Sequence, residues 1–285
     1  MMPSVLTLVR GRSRHLSNLI EGLNRQTRQP CELVIAYMQD APVSDLPATR
    51  CPVRTVMVPG EPMPLAAARN RAAEVASGDL LLFLDVDCIP SATLVDRYTR
   101  VAGERDGVLL GEVRYLPEGA TDGPFDESRL AARGQRHPAK PMLMDEDVLP
   151  IADHGELWGL SFAIRRQNWM NVGGMDERYV GYGAEETDFA ARLKAADVPM
   201  WWVGGAVAYH QHHAVHIPPL QHFAHIVRNA RLYHERWGRW CMDYWLGQLR
   251  DGGFVEWDDD RLTVIREPTA DEIAATRAPG TVLFS

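Results

Sequence analysis

Few cysteines, no long apolar run and no excess of positive charge mark this sequence, and each lack closes off a class of function. The 285 residues include only four cysteines, Cys31, Cys51, Cys88 and Cys241, and no CxxC pair. A zinc site or disulfide framework is therefore not expected, and a reducing cytoplasm is the natural compartment. No stretch approaches the roughly 20 apolar residues that span a bilayer, and the segment MMPSVLTLVRGRSRHL has no leader-like apolar core. Neither a membrane span nor a secretory leader is expected. The formal net charge of −8 disfavours a nucleic-acid partner, because binding the phosphate backbone depends on a basic surface. No internal repeat or low-complexity tract is visible either.

What is present is the composition of a soluble globular protein, 46% hydrophobic and 24% charged. The length suits one large domain, or one domain with an added subdomain. Strand-like runs at 4–9, 31–38, 53–58 and 79–86 alternate with helix-like stretches at 15–26 and 64–77. Strands separated by helices of this length imply βαβ units and a mostly parallel sheet. The near-continuous apolar run Leu80–Leu84 suits a central strand covered on both faces. A helix with Ser91 as N-cap is expected next, followed by a strand over 107–116. From Pro117 to His154 the chain reads as a long loop region. Strand-then-helix patterning resumes at Glu156, in ELWGLSFAIRRQNWMNVGG. The expected division is a sheet domain over 1–217 and a helical extension over 218–285 packing on it.

Three clusters carry chemistry. In LLLFLDVDCIP, Asp85 and Asp87 sit where a strand reaches the carboxyl rim of the sheet, the usual ligand-binding edge of an open α/β sheet. With strand geometry both carboxylates face one side and could share a divalent cation. Asp-x-Asp is equally the pattern of a polar turn. In GYGAEETDFAARL, Glu185, Glu186 and Asp188 open a helix. Acids at a helix N-terminus are favoured by its dipole, and one of them could also serve as a general base. In VAYHQHHAVHIPP, His210 is the first histidine after a strand, placed to complete a carboxylate metal site.

Together these segments resemble the GT-A glycosyltransferases of the family 2 type, especially the galactosyltransferase C-terminal domain group, from about Leu6 to His210. LVRGRSRHL resembles that group's nucleotide-binding segment, which implies UDP contacts from Arg10 and Arg12. AAARNRAAEVASGDLLLFLDVD resembles the stretch joining its ARN helix to its DxD motif, which implicates Arg69, Asn70 and Asp85 on the nucleotide side. LWGLSFAIRRQNWMNVGGMDERYVGYGAEETD carries the strongest likeness. It implies Gly159, Trp158 and Glu185 at the donor sugar and Glu186 as the catalytic base. The implied metal ligands are Asp87, His210 and Asp85, for Mn2+ or Mg2+. Departures are Glu186 where the group has Asp, and Glu156 and Trp158 where it has an aromatic residue and a glycine, which leave the sugar open.

The resemblance implies a GT-A fold, a Rossmann-like, mostly parallel central sheet flanked by helices with a helical C-terminal extension. It also implies metal-dependent, inverting transfer of a hexose from a nucleotide sugar, UDP-linked, to an acceptor hydroxyl. The alternatives are a sugar-phosphate nucleotidyltransferase and a non-catalytic carbohydrate-binding domain of the same fold. The first is disfavoured by the single glycine in VRGRSRHL, the second by the presence of Asp85, Asp87, Glu186 and His210. The 117–154 region is expected to shape the acceptor pocket. The basic, aromatic C-terminal segment is expected to pack as core or to act as a lid, with Arg228 or a histidine in 212–216 at the diphosphate. Peripheral membrane contact is a further option for that segment.

Overall fold

Alternation along single strands builds a two-sided core. The structure, a computed structural model, describes residues 1–283. Its first half runs β1 (Pro3–Val9), α1 (Ser13–Asn24), β2 (Glu32–Tyr37), β3 (Val53–Met57), α2 (Leu65–Val75), β4 (Leu80–Leu84), β5 (Cys88–Pro90), α3 (Leu94–Glu104) and β6 (Val108–Tyr115). In β4, Leu80, Leu82 and Leu84 face one hydrophobic cluster and Leu81 and Phe83 the other. Helices α1 and α3 cover the first face through Leu16, Leu19, Ile20 and Val95. Helix α2 covers the second with Ala66, Ala68, Ala72 and Ala73. These short side chains let its backbone approach the sheet, which is where Arg69 enters the interior.

The second half runs α4 (Glu127–Arg133), β7 (Gln135–Arg136), β8 (Val148–Ile151), β9 (Ser161–Arg165), α5 (Arg166–Val172), α6 (Glu185–Ala195) and β10 (Met200–His210). The main sheet has the order β3-β2-β1-β4-β9-β6-β10-β5, with β7 on β6 and β8 on β10. Strands β1 to β4 are parallel, as are β6 and β10, while β9 runs antiparallel between β4 and β6. The α/β expectation with helices on both faces holds. Beyond the sheet come α7 (Phe223–Trp237), α8 (Asp243–Asp251), a hairpin of β11 (Val255–Trp257) and β12 (Leu262–Val264), and α9 (Ala270–Ala275). They share a third cluster around Phe223, Ile226, Leu246 and Phe254. No helix among the described residues is long and apolar enough to cross a membrane.

Three expectations need correction. The 117–154 region is not one long loop, since it holds α4, β7 and β8. Among the described residues, strand β8 pairs only with β10 and leaves Leu149 42% exposed. A short edge strand of this kind, with Pro150 inside it, has the composition of a loop. Ser91 does not cap α3, whose N-cap is Thr93, without a side-chain cap bond. Finally, the strand does not run through Asp85 and Asp87. It stops at Leu84, and a tight turn follows in which the Cys88 N–H donates to Asp85 O at 2.8 Å.

Candidate active site

That turn separates the two aspartates. Strand β5 pairs antiparallel with the end of β10, Cys88 opposite His210, and the Gln211 N–H donates to Asp87 O at 2.6 Å. This register brings Asp87 to the histidines. His210 Nε2 lies 3.5 Å from Asp87 Oδ1, and His213 Nε2 lies 3.6 Å from Asp87 Oδ2. Arg12, in the left-handed region with φ 52° at the N-cap of α1, also pairs with Asp87 Oδ2. Burial pushes His210 down to about 4, against the pull of Asp87, so its imidazole is neutral at pH 7. Asp87 itself is pushed up by burial but ends below the ordinary carboxylate range through His210, Arg12 and His213.

The donor set fits a divalent cation. One ligand atom each from Asp87, His210 and His213 lies within 4.8 Å of the others. Among the described residues, Asp87 Oδ1 is buried with no hydrogen-bond partner, an orphaned oxygen of the kind a cation satisfies. Cis ligands about 2.1 Å from an octahedral ion stand about 3 Å apart, so the spacing needs little adjustment. The resemblance puts Asp85 in this set. The structure has His213 there instead, and only the fold-back of the segment after β10 reveals it.

Asp85 belongs to a second cluster. Arg69, 2% exposed, reaches Glu186 Oε1 at 2.7 Å, Glu185 Oε1 at 3.3 Å and Asp85 Oδ1 at 3.5 Å. The Gly159 N–H donates to Glu186 Oε2 at 2.9 Å. A Cβ on Gly159 would collide with Glu186 Oε1, so this close approach requires glycine. Glu185 is pushed up to about 7, first by burial, then by Glu186, with Arg69 pulling back. Asp85 also rises to about 7, chiefly because lost hydration outweighs Arg69.

Other expected site residues lie elsewhere. Arg10 pairs with Glu61 and donates to Gly60 O. The Asn70 side chain is taken up by Met175 and Glu177. Arg228 donates to Asn229 Oδ1, and Asp188, fully buried, takes hydrogen bonds from Arg192 and Trp237. Trp158 borders a separate cleft with Trp202, Tyr115 and Leu143. There the Lys140 ammonium stands 3.5 Å over the Trp158 ring and 2.7 Å from Glu156 Oε2. The Tyr115 ring, 4.9 Å from His210, joins this cleft to the histidine cluster.

Residues 43–224 match the family described as Glycosyltransferase like family 2. The chain belongs to that family. The matched stretch includes Arg69, Asp85, Asp87, Glu185, Glu186, His210 and His213. Arg12 precedes it, and nearly all of α7 follows it. Among solved structures, GalNAc-T7 with UDP, GalNAc and Mn2+ is similar at 16% identity and a TM-score of 0.55, over 74% of this chain and 43% of that one. S. aureus TarS 1-349 in complex with UDP is similar at 14% identity and 0.54, over 82% of this chain and 66% of that one. The same protein with UDP-GlcNAc gives 14% and 0.51, over 75% and 59%. This family-2 chain therefore spans about two fifths to two thirds of the length of those structures, and the likeness is one of fold.

Proposed function

We propose that the protein catalyses inverting transfer of a hexose from a UDP-sugar to an acceptor hydroxyl. One observation carries this reading. Glu186 is fixed by Arg69 and the Gly159 N–H, and the same guanidinium reaches Asp85, two residues from the Asp87–His210–His213 cluster. A base and a cation site thus flank one turn at the carboxyl rim of the sheet.

Glu186 takes the proton of the acceptor hydroxyl as its oxygen attacks the anomeric carbon opposite the leaving diphosphate. Asp87, His210 and His213 would hold Mn2+ or Mg2+, which when bound offsets charge developing on the diphosphate. Arg12, and Arg10 once released from Glu61, offer fork-like donors to the nucleotide. Glu185 and Gly159 border the donor sugar, and the cleft beside Trp158 and Trp202 receives the acceptor. The ligands named for GalNAc-T7 and TarS, UDP, Mn2+ and UDP-GlcNAc, support a UDP-linked donor and a divalent ion. Four free cysteines support a reducing compartment.

The test is UDP release from UDP-glucose, UDP-galactose, UDP-GlcNAc and UDP-GalNAc, with Mn2+ or with a chelator. Glu186→Gln should lower kcat by about 10²–10⁴-fold while UDP affinity holds. Asp87→Ala should abolish the metal-dependent rate, and wild-type turnover in that variant would remove the cation from the cluster. Absence of UDP release by the wild-type protein with every donor would defeat the reading as a whole.

A further inference from the structure

The base-bearing helix begins without a cap of its own. Its N-cap, Ala184, is left-handed at φ 72°, follows Gly183 at φ 91°, and makes no side-chain cap bond. A helix start on two such residues has few local restraints, yet it carries Glu185 and Glu186. Besides the Gly181 N–H bond to Met63 O at 2.8 Å, the restraint comes from α7. Asn229, 1% exposed, directs its amide nitrogen at three carbonyls of the preceding turn: Gly183 O at 2.9 Å, Val180 O at 3.1 Å and Tyr182 O at 3.4 Å. Three acceptors on one side demand the NH2 end of the amide there. Arg228 Nη1, 2.9 Å from Asn229 Oδ1, fixes the other end.

Neighbouring contacts press on the same turn. The His225 ring fills the space a Cβ would need at Gly181, and Met242 Sδ does so at Gly183. Tyr182 stacks on His222 with ring centroids 4.3 Å apart. One turn into α6, buried Asp188 accepts from Trp237 Nε1 at 2.9 Å and Arg236 Nη1 at 3.2 Å. Except for His222, every one of these partners lies beyond residue 224, where the family match ends.

We infer that Asn229 is a positioning residue for Glu186, and that the chain beyond the family match holds the backbone of the base while Arg69 holds its carboxylate. This rests on the reading of Glu186 as the base. Arg69 and the Gly159 N–H grip the carboxylate at its tip, while Asn229 grips the backbone from which it projects. An apolar side chain at 229 would fill the same space but take both amide N–H donors away from the turn carbonyls they serve. The turn would then shift to find water or another partner, and a shift near 1 Å at a reacting group can cost about 10²-fold in rate.

The experiment compares Asn229→Leu and Asn229→Ser with Arg231→Gln. Arg231 lies on the same helix but donates to Leu262 O, so its loss loosens α7 without touching the turn. The readouts are UDP release with water as acceptor, UDP affinity and site count by calorimetry, and thermal stability. Normalised to counted UDP sites, kcat should fall roughly 10- to 100-fold in Asn229→Leu, less in Asn229→Ser, with UDP affinity within about twofold of wild type. Arg231→Gln should keep the wild-type kcat at whatever melting temperature it shows. Folded Asn229 variants with wild-type kcat per site overturn the inference. So does a kcat loss matched by Arg231→Gln at equal destabilisation, or failure of every Asn229 variant to fold, which makes the residue a folding determinant only. A wild-type protein that binds UDP but releases none from any donor defeats the base reading instead, a separate result.

Discussion

A cluster of three carboxylates and a cluster of one carboxylate with two histidines stand on either side of the Asp85–Asp87 turn, and they are neutralised in different ways. Around Arg69, three carboxylates share a guanidinium whose side chain is 3% exposed. That cation was built in during folding and has no path of exchange. Around Asp87, the cation is Arg12, 38% exposed on a loop before α1, and the other neighbours are imidazoles, His210 being neutral at pH 7. A buried permanent charge fixes geometry, whereas a peripheral charge beside neutral ligands can give way to another cation. On the proposed function, the first cluster would position the base and the second would exchange an ion, although both begin from aspartates two residues apart.

Arg69→Leu should have the largest effect on stability. Removing one partner of a buried charge set leaves the others uncompensated, at a cost of about 3–5 kcal/mol. Asp85 and Glu186, with side chains 29% and 27% exposed, bring the expected loss toward the lower end. Urea unfolding measures it, and a loss under about 1 kcal/mol, the surface-pair range, would make the two clusters equivalent. Arg12→Leu should behave oppositely. Its stability cost should be the smaller of the two, because Arg12 is 38% exposed, even though its partner Asp87 is only 7% exposed. Mn2+ binding without nucleotide should tighten by about three- to tenfold, since a charge worth roughly 1 kcal/mol no longer competes for Asp87. UDP binding should weaken in the same variant. Titration calorimetry with Mn2+ and with UDP reads both, and weaker Mn2+ binding would show that Arg12 supports the ion site rather than occupying it.

The legible part of this fold is whatever local pattern dictates. LLLFL reads as a buried strand because every residue in it is apolar, and α1 shows its buried face in Leu16, Leu19, Ile20 and Leu23. His210 stands out because it ends a recognisable strand. Asp85 and Asp87 read as strand partners because alternation continues through Val86, while the turn that parts them is fixed by β5 pairing with β10. For the same reason His213 is legible only as one of the histidines of 212–216 expected at the diphosphate, and Asn229 is not legible at all. Their roles come from segments distant in sequence folding onto a turn, and no spacing rule encodes that. Arg69 falls on the nucleotide side by its motif. Only the burial of α2 against the sheet shows that its guanidinium is enclosed by carboxylates of this chain.

The finest test concerns pH. Glu185 is lifted from an ordinary value of 4.5 to about 7, by burial first and Glu186 second. Between those values the folded protein holds a proton that the unfolded chain releases, so Glu185 makes stability fall as pH rises through that window. Asp85, also raised to about 7, acts in the same direction. His210, lowered from 6.5 to about 4, acts in the other, losing its contribution as pH falls across that range. The wild-type curve is therefore a partial cancellation, and the difference between wild type and Glu185→Gln isolates one group. From pH 4.5 to 8, measured without metal, the melting temperature should move in favour of Glu185→Gln, by about 2–4 °C for each kcal/mol of linkage removed. A difference that stays constant across this range would mean that Arg69 keeps Glu185 an ordinary ionised carboxylate. The buried cluster would then be fully neutralised pairwise, and its contrast with the Asp87 cluster would lie in exposure alone.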